Sequence, residues 1–338
     1  GNDILHDAGM YLLIFSLAIP FVTVRSLSAS MLRCSGNLLL PSALEIVVCV
    51  LDVIFNYFFI FPTHQVILFG LAVTVPGFGL GVAGAALGSV VSLVIVGLIM
   101  FVYCAVGSEY LKLDREGSWR PEAETVKTAV KISTPIAAEN FIMQSAAVYI
   151  TRLIAPLGNI SLAANSFAVT AEAFCYMPAY GIGEASMTLV GQSLGAKRND
   201  LAKRFAWVTV AIGFVGMIVM SSFMYMLAPA IFNFLTPDNA VAQLGILVLR
   251  IVVFVEPLFG VSIIVSASLR GAGDTLIPGI LNIVSMWGVR VPLSLFLVGR
   301  MGLRGIWIAM SVELAVRGIL MMARLLFGKW DKVIKEVS

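Results

Sequence analysis

Asp52 stands inside the apolar run Val50-Leu-Asp-Val-Ile-Phe-Asn56, with Asn56 four residues on. On a helix that spacing puts both side chains on one face. A carboxylate and an amide oxygen stacked this way are hard ligands, suited to Na⁺ or to a proton-binding network. The alternative is a packed polar interior that binds no ion. Glu139, Asn140 and Gln144 follow Pro135 as a polar cluster, although Gln144, five residues from Glu139, shares its face only roughly. Glu172, Glu184 and Glu256 are further acids within apolar sequence, suited to structural pairing or cavity lining, with Arg152 and Arg290 as available partners. Glu256 precedes Pro257, whose ring weakens a helix and leaves a carbonyl unpaired.

The elements that carry these groups are apolar to an extent that excludes most protein classes. The chain of 338 residues is 59% hydrophobic and 12% charged, with a mean hydropathy of +0.98. Soluble domains carry about 25% charged residues, so a soluble enzyme, a disordered chain and a nucleic-acid binder are excluded. His6 and His64 leave little room for a histidine metal site, and Cys34, Cys49, Cys104 and Cys175 show no CxxC spacing. No HExxH, GxSxG or paired-Asp signature marks an intramembrane enzyme. No resident cofactor is expected, and a monomer is.

Nine stretches are apolar and long enough to span a bilayer: about 9–34, 41–62, 79–106, 126–156, 160–193, 203–233, 241–270, 276–299 and 303–328. The expected fold is therefore all-α and polytopic. Lys112, Arg115, Arg120, Lys127, Lys197, Arg198, Lys203 and Arg204 collect on one side of alternating spans. Arg33 and Arg270 end the first and seventh spans there as interfacial anchors, and Arg324, Lys329, Lys332 and Lys335 mark the C-terminal end. The positive-inside rule makes that side, and the C-terminus, cytoplasmic.

Residues 20–41 (PFVTVRSLSASMLRCSGNLLLP) repeat in 257–278 (PLFGVSIIVSASLRGAGDTLIP) at an ungapped offset of 237. Pro20/Pro257, Arg33/Arg270, Gly36/Gly273 and Pro41/Pro278 fall in register, and Gly81-Val-Ala-Gly84 echoes Gly302-Leu-Arg-Gly305 once the longer loop at 62–78 is allowed for. Parallel repeats of this kind suit alternating access in a transporter. Spans four to six have no partner. The expectation is thus nine helices of twelve in two pseudo-symmetric lobes, with three further spans before residue 1. Residues 1–106 would be the second half of the N-terminal lobe, 107–125 a cytoplasmic linker, and 126–338 a six-helix C-terminal lobe. Within the linker, Trp119 with Arg115 and Arg120 also suits a membrane-surface segment.

Pro135-Ile-Ala-Ala-Glu139-Asn140, Ala155-Pro-Leu-Gly158, Ala163-Ala-Asn-Ser166, Val190-Gly-Gln-Ser-Leu-Gly-Ala196 and Leu269-Arg-Gly-Ala-Gly-Asp274 follow one another in an order that resembles the MATE (multidrug and toxic compound extrusion) transporters. The resemblance covers nearly the whole chain. It implies a plasma-membrane antiporter that exports small organic compounds, cationic or amphiphilic, in exchange for Na⁺ or H⁺. It also implies that Asp52 and Asn56 belong to an N-lobe cation site, which a family hydroxyl at Ser89 would complete. A seventh-helix acid of the family falls near Glu139, and some members carry it a turn later, where this chain has Met143. The rival within transport is a flippase for lipid-linked precursors, which would need a markedly cationic cavity. Mid-span charges here are mostly acidic, so a cationic or neutral substrate is expected.

The span order generates a test of sidedness. Single cysteines at Ser118 and Thr74 are expected to react with an impermeant thiol reagent from opposite faces, Ser118 from the cytoplasm. Labelling of both from one face would defeat the span assignment.

Overall fold

The computed structural model describes residues 2–68, 71–108, 110–112, 122–328 and 330. The chain divides into a first unit, 1–119, and a second, 120–338. Of the polar stretch 107–125, residues 109 and 113–121 lie outside the described set, Ser118 and Trp119 among them.

The first unit holds α1 (Asn2–Cys34), α2 (Leu39–Ile60), an antiparallel hairpin of β1 (Pro62–Leu68) and β2 (Leu71–Phe78), and α3 (Gly81–Val102), which ends in one π turn, Tyr103–Gly107. The hairpin replaces the plain loop expected at 62–78. Thr63 ties its base by accepting from Gly77 N–H at 3.1 Å. Helix α3 packs against both α1 and α2, through Gly84 on the backbone of Phe59 and Gly88 on Asn56. Small residues let helices approach closely, which is how bundles gain packing in a solvent as apolar as their own side chains. The far faces of α1 and α2 present Leu13, Leu17, Ile46 and Val53 outward, as lipid contact requires.

The second unit holds α4 (Ala123–Ile154), α5 (Asn159–Gly195), α6 (Asn199–Leu235), α7 (Asn239–Val252), α8 (Glu256–Gly271), α9 (Leu276–Ser285), α10 (Val291–Met301) and α11 (Leu303–Phe327). A π turn, Met286–Arg290, joins α9 to α10. Helix α5 lies against α6, α7 and α8, and α11 against α7 and α8. A stripe of Ala164, Ala168, Ala171, Cys175 and Ala179 is wholly buried along α5. Ser186 of α5 bridges Ser268 of α8 at 2.7 Å and Thr209 of α6 at 2.8 Å. Hydroxyls joined inside a bundle hold helices together where no water is available.

One expectation is corrected and a second is left without confirmation. The span expected at 241–270 is broken: α7 and α8 meet at 58°, because Pro257 cannot continue the helix through Val253–Val255. The count of nine spans is not confirmed either. Among the described residues six helices are long and apolar enough to cross a membrane, or seven if α7 and α8 form one span. Helices α4 and α5 are long but lack the required apolar run. In α5 the buried surface is made mainly of Ala, Gly, Ser and Thr, with Val190 and Leu194 as its large aliphatics.

The repeat reappears as geometry. Gly36 and Gly273 both take a left-handed backbone, φ 91° and 83°. Asn37 N–H donates to Leu32 O at 3.0 Å, and Asp274 N–H to Leu269 O at 2.9 Å. Each following side chain caps the next helix, Asn37 Oδ1 accepting from Leu40 N–H and Asp274 Oδ1 from Ile277 N–H. Gly81 and Gly302, φ 56° and 57°, open the third helix of each copy. Gly84 then meets Phe59 O, as Gly305 meets Leu297 O.

A Cβ at Gly305 would lie 2.6 Å from Leu297 O, whereas one at Gly299 meets nothing within 4 Å. Gly305→Ala should therefore cost about 1–3 kcal/mol of stability through overpacking, and Gly299→Ala should be neutral or stabilising. Thermal unfolding in detergent reads both.

Candidate functional site

Asp52 sits near the middle of α2 with Asn56 one turn on, both partly buried. Asp52 Oδ1 and Asn56 Oδ1 are buried and have no hydrogen-bond partner. Each is an acceptor, so together they offer two unfilled acceptor positions on one helix face. Helix α3 closes on them without supplying a donor there. A Cβ at Gly88 would overlap Asn56 Oδ1, so only glycine allows this approach. Ser89, the next residue of α3, is partly buried, and Ser92 turns its hydroxyl back to Gly88 O at 2.8 Å. A buried polar atom left unmatched costs about 1–3 kcal/mol, and a charged one more. A proton or a small cation is the species that would relieve both oxygens at once.

The other deep charges of the first unit form a pair that the spacing of residues did not announce. Arg25 of α1 donates through Nη1 to both carboxylate oxygens of Glu45 on α2. This leaves Asp52 as the acid of α2 with an oxygen unmatched.

In the second unit Glu139 is buried and fully engaged. Arg270 Nη2 donates to both its oxygens at 2.9 Å and Asn282 Nδ2 donates to Oε1 at 2.7 Å. Gly279 lies directly against the carboxylate, where a Cβ would be 2.9 Å from Oε2. The polar cluster expected around Glu139 therefore has other members. Asn140 and Gln144 are exposed, because positions one and five residues along a helix point well away from Glu139. Arg270, expected as an interfacial anchor, is the counter-ion that α8 extends to α4. Asp274 likewise pairs with Arg324 of α11 at 2.6 Å.

Glu172 of α5 and Glu256 of α8 are both buried and close enough to interact electrostatically. Both oxygens of Glu256 meet no donor other than the carboxyl group of Glu172, with which it stands close enough to share a proton. Arg290 supplies the cation nearest Glu172 and also faces Glu313. Glu313, wholly buried, accepts from Ser285 Oγ at 2.8 Å and from Arg317 Nε at 2.7 Å. Arg152 is exposed, so of the two expected partners Arg290 is the one near enough for its charge to act on these acids, although its own hydrogen bond goes to Met310 Sδ. Trp307 Nε1 donates to Asn165 Oδ1 at 3.0 Å. Glu313 and Arg317 were visible as an i, i+4 pair in apolar sequence, yet their link to Ser285 required the fold. Among the described residues no three His, Cys, Asp or Glu side chains converge as a metal centre would need.

The sequence pattern of the MatE family matches residues 135–296. The chain is 25% identical to the probable multidrug resistance protein NorM of Thermotoga maritima over 98% of its own length and 69% of that protein's. It is 29% identical to the uncharacterized transporter YisQ of Bacillus subtilis over 77% of its length and 56% of the relative's. Among solved structures it matches an outward-facing multidrug resistance MATE transporter of the MOP superfamily with TM-score 0.83 at 18% identity, covering 97% of this chain and 70% of that one. The Vibrio cholerae MATE transporter VcmN in its bent form matches with TM-score 0.79 at 18% identity and the same coverage.

The Glu139–Arg270 pair generates its own test. Glu139→Ala leaves a half-buried guanidinium without its carboxylate, a change that costs about 3–5 kcal/mol when the pair is buried. Replacing both partners with apolar residues, Glu139→Leu with Arg270→Met, should recover most of that loss. Denaturant unfolding in micelles checks both variants.

Proposed function

We propose that this chain, which belongs to the MATE family, serves cation-coupled export of small organic compounds by alternating access. The relatives make it a multi-pass membrane transporter of the multidrug type rather than an enzyme. Exchange for Na⁺ or H⁺, and cationic or amphiphilic compounds as cargo, are the finer parts of the proposal. So are the cytoplasmic C-terminus and the monomeric state.

The observation that carries the reading is the pair of unmatched buried oxygens on Asp52 and Asn56. In hydrocarbon an ionised carboxylate with no counter-charge is too costly to persist. We read Asp52 as the site that takes a proton or a cation, with Asn56 and Ser89 as its proposed companions. An ion site at the α2–α3 contact couples occupancy to helix packing, since Gly88 already lies against Asn56. An ion biases a two-state transporter only by the difference between its affinities for the two states. A site that is wet in one state and dry in the other supplies such a difference. Glu139 and its partners are read as structural, because three hydrogen bonds already satisfy the carboxylate. Glu172 and Glu256 remain candidates for proton or substrate contact in the second unit.

The flippase alternative would need unneutralised cations for a pyrophosphate. Arg270, Arg317 and Arg324 are each paired with an acid, which favours the export reading.

In the full natural gene product, Asp52→Asn is expected to fold and reach the membrane but lose gradient-driven export. Asn56→Ala should weaken the ion dependence less, because it removes a neutral ligand and not the charge. Substrate transport in vesicles under an imposed Na⁺ or H⁺ gradient measures this. Undiminished driven transport by Asp52→Asn would remove Asp52 from the mechanism.

A further inference from the structure

The two units carry the same three-helix arrangement with different chemistry at one position. Up to the middle of the second helix of each copy the offset is 237, as the caps at Asn37 and Asp274 show. The π turn Met286–Arg290 then adds one residue to α9–α10 that α2 lacks, since a π turn accommodates one residue more than an α turn. From the last residue of that turn onward the offset is 238, and the packing agrees: Gly84 on Phe59 O is matched by Gly305 on Leu297 O. In the third helix the offset is 221, set by Gly81 and Gly302. With these offsets Asp52 corresponds to Arg290, Asn56 to Ser294 and Ser89 to Met310.

The contacts on the second side fit that correspondence. Arg290 Nη2 donates to Met310 Sδ, so the residues matching Asp52 and Ser89 touch across the helix pair. Ser294 is wholly buried and its Oγ has no hydrogen-bond partner, as the Oδ1 of Asn56 has none. The charged groups around Arg290 are Glu313 and Arg317 of α11 and Glu172 of α5, with Glu256 of α8 next to Glu172. Glu313 Oε2 is buried and unmatched by any hydrogen bond. The neighbourhood is thus rich in oxygen acceptors, and a guanidinium stands among them.

We infer that Arg290 is a tethered cation filling the second unit's copy of the Asp52 site, so that this copy takes no exchangeable ion while the arginine is present. The first unit leaves its acceptors open to a monovalent cation or a proton. The second carries the positive charge covalently, on a guanidinium. Removing the guanidinium would take one positive charge away from the buried acids Glu172 and Glu313. Their oxygens would then take up a cation of the class proposed for Asp52.

This inference rests on reading Asp52 as an ion site, and the test separates the two. The full natural gene product is purified with Arg290→Gln, Arg290→Lys, Asp52→Asn and the Asp52→Asn/Arg290→Gln double change. Binding is measured with radioactive Na⁺ and as proton uptake with a pH indicator. Arg290→Gln is expected to bind about one ion more per molecule than the parent protein, and Arg290→Lys no more. The double change should regain, in the second unit, the ion that Asp52→Asn loses. Adding Glu172→Gln to Arg290→Gln should abolish the gain. A folded Arg290→Gln protein with the parent's stoichiometry would overturn the inference. If Arg290→Gln unfolds at neutral pH, raised Na⁺ or lowered pH should restore its thermal unfolding transition. No restoration under either condition, while Arg290→Gln/Glu172→Gln folds, would also overturn it. Asp52→Asn binding as the parent does would defeat the coupling proposal alone, since the Arg290→Gln arm is read independently.

Discussion

A polar group in hydrocarbon has no water to fall back on, and the arrangement of both units follows from that constraint. Among the described residues several deep charges are answered by another side chain. Arg25 meets Glu45, Arg270 meets Glu139, Arg324 meets Asp274, and Arg317 meets Glu313. Three of these pairs join different elements of one unit, and therefore act as ties within it. Buried hydroxyls follow the same logic at Ser186, Thr209 and Ser268. Against that background an unmatched oxygen is informative. In the first unit Asp52 and Asn56 carry such oxygens, with Ser92 committed to Gly88 O and Gly88 offering no side chain at all.

The repeated three-helix arrangement shows how one backbone carries two electrostatic designs. The turns at Gly36 and Gly273 agree in φ and in hydrogen bonds, and each copy brings a glycine of its third helix onto a carbonyl of its second. Backbone geometry of this kind depends on a few glycines and caps, and it is indifferent to the charge of a side chain one turn away. Position 52 carries an acid and position 290 an arginine without disturbing the fold. The π turn at Met286–Arg290 rotates the following residues by the one extra position it inserts, which is what brings Arg290 onto Met310.

Helix boundaries in the second unit show where apolarity ceases to be a guide. Helix α5 is buried along one stripe by Ala and Cys, so its packing comes from close approach and not from large side chains. Its mean hydropathy understates its burial for that reason. The break before Glu256 has a different origin. Pro257 removes a donor and clashes with the preceding turn, and the chain uses the interruption to redirect α8 by 58°. The wholly buried carboxylate of Glu256 thus opens a helix, where the backbone dipole favours negative charge.

The sequence alone determined the class of molecule, because 12% charge cannot coat a soluble particle of this size. It also determined the repeat and the isolation of Asp52 with Asn56, since a carboxylate in an apolar run and glycines in register are properties of the string itself. The resemblance to the MATE transporters followed from short motifs in order. What tertiary structure decided was partnership. Glu139 and Arg270 are 131 residues apart, and no spacing rule connects them. Asn140 and Gln144 looked like neighbours of Glu139 but face outward. The hairpin at 62–78 came from backbone pairing between segments whose residues suggested a loop. The equivalence of Asp52 and Arg290 was hidden by one inserted residue, which shifts the register and can be located only when the π turn is seen in three dimensions.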